Sequence, residues 1–121
     1  MLNKIIVSPL NSVLFISDRA GAEPPEPIRG QMIWSNPTCV IFGCFPEQDG
    51  PTEIAIGSSN EVDPESLLVF DGEVETPSHI LTISDVAIEP VLNIDVASTK
   101  TKIKILYSHP KWPDRITISV D

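Results

Sequence analysis

The feature that most restricts what this chain can fold into is a period of two in its β-branched residues, interrupted about every ten positions by Pro, Gly, Asn or Asp. The clearest run is Arg115-Ile116-Thr117-Ile118-Ser119-Val120-Asp121, which sets Ile116, Ile118 and Val120 on one side of an extended chain and polar groups on the other. Lys102 to Tyr107 repeats the scheme with Ile103, Ile105 and Tyr107 inward, and Leu92 to Val96 and Glu53 to Ile56 follow it too. This patterning predicts half-buried antiparallel strands. Ser12 to Ile16, Cys39 to Phe45 and Leu67 to Phe70 are instead apolar on both faces, and predict central strands or strands with a loop over the outer face. Ile5 to Val7, Gln31 to Trp34 and Ile80 to Ser84 bring the count to about ten.

The punctuation points the same way. The 12 prolines in 121 residues are roughly twice average usage, and they are scattered, which leaves little room for long helices. Gln48-Asp49-Gly50-Pro51, Asp71-Gly72 and Lys111-Trp112-Pro113-Asp114 read as turns, and Gly21 to Pro27 as an extended, polyproline-like surface crossing. At most one helical turn is expected, at Asp63 to Leu67, where Asp63 suits an N-cap and Pro64 the first helical position. A chain of this length buries about two-thirds of its unfolded surface and is too short for two independent cores. The expected architecture is one domain over residues 1–121, an antiparallel β-sandwich of about 8–10 short strands, with a partly closed β-barrel as the alternative.

Charge is distributed unevenly. The formal net charge is −9, yet residues 1–99 hold 15 acids and 3 bases whereas residues 100–121 hold 2 acids and 5 bases. No Lys or Arg occurs between Arg29 and Lys100, a stretch with twelve acids, nine of them between Glu47 and Glu75: Glu47, Asp49, Glu53, Glu61, Asp63, Glu65, Asp71, Glu73 and Glu75. Their neutralisation must come from the C-terminal strands, a metal ion or another molecule. An anionic surface of this kind excludes electrostatic binding of nucleic acid phosphates or anionic lipid.

Cys39 and Cys44 are too far apart on an extended strand, at about 16 Å, for a disulfide, and their spacing is not that of zinc or redox pairs. They read as reduced core thiols. No run approaches a membrane span, and the segment Met1 to Pro9 lacks the apolar length and small-residue cleavage site of a signal peptide, so a cytoplasmic protein is expected.

Three functional readings follow from the residues. In the first, the nine acids form a face for a basic protein such as a nuclease or toxin, speeding association and imitating phosphate, with Trp112 either plugging the sandwich or anchoring the partner. In the second, the chain is a structural or ligand-binding β-module, with or without calcium held by the clustered oxygens of Glu47, Asp49 and Glu53 or of Glu61, Asp63 and Glu65, although neither set fits an EF-hand loop. In the third it is an enzyme using His79, His109, Ser108, Asp85 or Asp114, but no nucleophile elbow, phosphate loop or His-Glu-x-x-His motif supports catalysis. No enzyme activity and no resident cofactor are expected. Lys102 and Lys104, on a strand paired with Arg115 and its neighbours, make a basic stripe that can meet the acidic middle of the same sheet or of a second copy, which admits a homodimer.

The order of these segments also resembles a known group. An early strand and Pro-rich crossing (Ser12 to Pro27) precede a Trp and a strand ending in Phe42-Gly43, then an acidic stretch, then paired apolar strands. This pattern is similar to that of small bacterial inhibitor and immunity proteins, in particular the competence protein J type that restrains a DNA-entry nuclease. The resemblance implies a β-rich, intracellular, non-catalytic inhibitor that blocks a partner's active site by bulk and charge. It carries no individual functional residue across.

Overall fold

In the computed structural model, which describes residues 3–7, 13–21, 23, 25–26, 31–44, 50–58, 67–84, 90–109 and 113–121, each of the expected runs forms a strand. In chain order these are β1 (Asn3–Val7), β2 (Val13–Asp18), β3 (Ile33–Asn36), β4 (Cys39–Gly43), β5 (Thr52–Gly57), β6 (Leu67–Glu75), β7 (Ile80–Ser84), β8 (Pro90–Asp95), β9 (Lys100–Tyr107) and β10 (Arg115–Val120). They make two open five-stranded sheets, ordered β1-β5-β10-β9-β6 and β3-β4-β2-β7-β8. The fold is an all-β sandwich rather than a closed barrel. Two compact units divide the chain: Met1–Ser12, Cys44–Gly72 and Lys102–Asp121 in one, Val13–Gly43 and Glu73–Thr101 in the other. The expected helical turn at Asp63 to Leu67 begins outside the described residues, and Leu67 itself opens β6. No helix long and apolar enough to cross a membrane occurs among the described residues.

In the first unit the alternating sequences do what their period dictates. β9 and β10 form an antiparallel hairpin in which Ile118 faces Ile105 and Ile116 faces Tyr107. β5 lies on the other side of β10, placing Ile54 beside Ile116 and Ile56 beside Ile118. All six side chains are at most 1% exposed. The β5–β10 pair is parallel, unlike every other pair with a described register. Alternation is the same for parallel and antiparallel strands, so sequence did not distinguish them; the long chain segment between β5 and β10 supplies the crossover a parallel pair requires.

The second unit is antiparallel in all its described pairs. Leu14 opposes Phe42, Ile16 lies between Val40 and Ile83, and Leu81 pairs with Ile94. These residues form the buried face, apart from the half-exposed Ile94 on the edge strand β8. β4 is buried at every position, as expected for a run apolar on both faces. Its hairpin with β3 is closed by Asn36, whose Oδ1 accepts the amides of Thr38 (2.8 Å) and Cys39 (2.9 Å) and the Thr38 hydroxyl (2.9 Å). This is the Asx turn for which Asn is suited. The Asn36 Nδ2 also donates to the Glu23 carbonyl (2.8 Å), tying one described point of the Pro-rich crossing to this hairpin.

Two expectations for β6 are corrected. Asp71-Gly72 is not a turn, because the strand runs through it to Glu75. Gly72 serves a close approach: a Cβ there would lie 2.8 Å from Phe70 Cζ, so the Phe70 ring folds over the glycine two residues on, along the same face of the strand. Nor is Leu67 to Phe70 a central or covered strand. β6 is the edge of its sheet, and Leu67 and Leu68 are 49% and 55% exposed. A two-sided apolar run fits a covered strand and an exposed edge equally, so periodicity could not separate them.

Candidate partner-binding surface

The nine acids singled out by sequence do not all fall within the described residues. Glu47, Asp49, Glu61, Asp63, Glu65 and also Trp112 lie outside them. Of the remainder, Glu53 is half-buried on β5, in register with Ile6 of β1 on one side and Arg115 of β10 on the other. Asp71, Glu73 and Glu75 are exposed on alternate positions of β6, hence on one face of that strand.

The strand order keeps these groups apart. β10 and β9 intervene between β5 and β6, which separates Glu53 from the acids of β6 by about 14 Å at the usual strand spacing. β9 carries exposed Lys100, Lys102 and Lys104 at alternate positions and is the neighbour of β6. The basic stripe expected from sequence therefore meets an acidic strand of its own sheet. What remains at the sheet's edge is a run of carboxylates with the apolar pair Leu67 and Leu68 at its start.

The candidate catalytic groups are engaged in turns. Asp18, on the buried face of β2 with Leu14 and Ile16, is only 3% exposed. Its Oδ1 accepts the Ser78 hydroxyl (2.7 Å) and amide (3.1 Å), and its Oδ2 accepts the Ala20 amide (2.9 Å). Three donors offset the cost of desolvating this carboxylate. The same turn ends in Gly21, whose φ of 121° explains the glycine. His79 takes a left-handed φ of 60° and places Nδ1 3.2 Å from the Val96 carbonyl. Its amide donates to Thr76 O and its carbonyl accepts from Val96 N, which fixes the link between β6 and β7. In the other hairpin the Ser108 hydroxyl donates to Asp114 Oδ1 (2.9 Å) and accepts from the Arg115 amide (3.2 Å). His109 is exposed, and Asp85 lies outside the described residues.

Asp18 was not singled out by sequence. The available signal was a carboxylate continuing the inward row Leu14, Ile16, where a third apolar residue belongs.

Among the described residues, no group of three His, Cys, Asp or Glu side chains is placed to hold a metal ion. Of the two sets proposed for calcium, only Glu53 falls within those residues. Cys39 and Cys44 are free and buried. Burial pushes the Cys39 thiol up to about 11 and the Cys44 thiol up to about 12, the opposite of what a reactive thiolate needs.

A two-sheet, all-β sandwich with an anionic surface is thus the class that fold and charge define. No protein-family model and no curated sequence matches the chain. Among solved structures it is similar to ComJ, the inhibitor of the DNA-degrading activity of NucA from Bacillus subtilis, with a TM-score of 0.74 over 99% of this chain and 97% of that one, at 8% identity. It is also similar to the crocagin biosynthetic gene J protein, with a TM-score of 0.59 over 99% of this chain and 96% of that one, at 11% identity. At these identities the likeness is one of fold.

Proposed function

We propose that this chain is a non-catalytic, acidic protein-binding module of the inhibitor or immunity type, acting in the cytoplasm on a basic nuclease. The observation that carries the reading is the shared fold with a nuclease inhibitor over nearly the whole of both chains. Fold alone does not define function. Here the charge agrees with it: a domain of formal charge −9 repels DNA and attracts the lysines and arginines with which a nuclease holds phosphate. The exposed Asp71, Glu73 and Glu75 present that charge along one strand. The buried thiols suit a reducing compartment.

The test is to immobilise the protein, pass native extract of its own cells over it at low and at moderate salt, and assay the extract and the eluate for DNA degradation. A DNA-degrading activity should be depleted at low salt, recovered with salt, and inhibited when free protein is added back. Asp71→Lys with Glu73→Lys, with the fold checked by circular dichroism, should slow association strongly at low salt and much less at high salt. Extract nucleases that are neither retained nor inhibited overturn the reading.

A further inference from the structure

We propose that β6 is a docking edge, along which an extended, cation-bearing segment of the partner adds to the sheet through main-chain hydrogen bonds between Leu67 and Glu73. The identity of the partner rests on the inhibitor reading; the strand and the manner of engagement are new.

β6 ends its sheet's strand order, so among the described residues one side of its backbone has no strand neighbour within that sheet. The hydrogen bonds at its end identify which groups face that side. The Thr76 amide donates to the carbonyl of Thr99, the residue before β9, whereas the Glu75 amide donates to the Pro37 carbonyl instead. Successive amides of a strand leave on opposite sides, so the odd-numbered amides of Val69, Asp71 and Glu73 point away from β9.

The four edge strands differ in how well they suit this role. Sheet edges are commonly guarded by shortness, by Pro or by Lys. β1 has five residues and Lys4, β3 has four residues, and β8 starts at Pro90. β6 has nine residues with neither Pro nor Lys, and it opens with the two exposed leucines.

Charge selects the occupant. A second copy pairing antiparallel over Leu67 to Glu73 sets Leu67 against Glu73 and Val69 against Asp71, which leaves both carboxylates opposite apolar side chains with no cation to meet them. A strand with Lys or Arg at alternate positions instead brings Asp71 and Glu73 into cross-strand ion pairs. Its backbone supplies affinity, and the exposed Leu68, on the face opposite the carboxylates, supplies an apolar contact for its alternate side chains.

The experiment titrates the 15N-labelled full chain with an acetylated, amidated Lys-Val-Lys-Val-Lys-Val peptide and maps amide shifts. Two further peptides run in parallel: one with Glu replacing Lys, and the basic peptide N-methylated at alternate amides. Saturable shifts at Val69, Asp71 and Glu73, absent with both control peptides and lost in Asp71→Lys with Glu73→Lys, support the docking edge. Equal shifts with the N-methylated peptide mean charge attraction alone and overturn it, as do shifts centred on β1, β3 or β8. Self-association on sedimentation that Leu67→Lys abolishes names a second copy as the occupant and also overturns it. Failure of the peptide at β6 with nuclease inhibition intact removes this inference alone; peptide binding without nuclease inhibition removes the inhibitor reading alone.

Discussion

β4 and β9 are both interior strands of five-stranded sheets, and they obey opposite rules. β9 alternates between exposed lysines and buried Thr101, Ile103 and Ile105 before its last two residues are enclosed, while β4 is buried at all five positions. The alternation of β9 records a sheet face left to solvent. Its absence in β4 records a strand enclosed on both faces. The period of two is therefore a statement about what lies over a strand, and only secondarily about the strand itself.

Core truncations give the largest effects and the most direct way to break this comparison. Phe42→Ala on β4 should cost about 3–5 kcal/mol and Ile105→Ala on β9 about 2–5 kcal/mol in urea unfolding. The discriminating pair is Ile41→Ala, on the second face of β4, against Lys104→Ala, on the outer face of β9. The first should cost as much as a core truncation, the second stay within about 0.5 kcal/mol. Equal costs would mean that β4 is not enclosed as described.

A smaller effect is expected from the thiols beside and within β4. Their pKa values are raised on folding, from 9.0 to about 11 for Cys39 and about 12 for Cys44, so the folded state holds protons that the unfolded chain gives up first. Their contribution is complete below pH 9 and is lost as pH rises toward 11 and 12. Unfolding free energies of the parent and a Cys39→Ala, Cys44→Ala variant, compared from pH 8 to pH 11, isolate this slope from lysine and tyrosine titration. Parallel curves would show that the thiols are not enclosed.

The smallest effect refines the picture of the first sheet. Ser119 is on the nominally outer face of β10, opposite Lys104, yet it is 2% exposed and its hydroxyl has no hydrogen-bond partner among the described residues. Ser119→Ala should be neutral or stabilise by up to about 1 kcal/mol, because it removes a desolvated, unpaired group. A clear loss of stability would reveal a partner for that hydroxyl.

The strands were legible because burying one face of an extended chain forces alternation, and Ile103, Ile105, Ile116 and Ile118 display it without interruption. Strand order and direction were not. Nothing in Thr52 to Gly57 announces that β5 pairs with β10 in parallel, since that depends on the path of the chain between them. The carboxylates of β6 were legible as charge, but their position beside the lysines of β9 and at a sheet edge was a property of topology. Asp71-Gly72 misled for a local reason: the pair is common in hairpin turns, whereas here the glycine makes room for the Phe70 ring. The Asp18 carboxylate was hidden because its partners at Ser78 are sixty positions away in sequence.

The placement of β10 between β5 and β9 has a consequence for how the protein is made. Ile54 must wait for Ile116, its direct neighbour, through about sixty further residues of synthesis. At ribosomal rates of roughly 5–20 residues per second, the nascent chain presents the unpaired side of β5 for several seconds. Pairings this distant in sequence also close slowly once the chain is free. A newly made molecule therefore passes through an interval in which a strand destined for the interior of a sheet is still an edge, open to pairing with other chains.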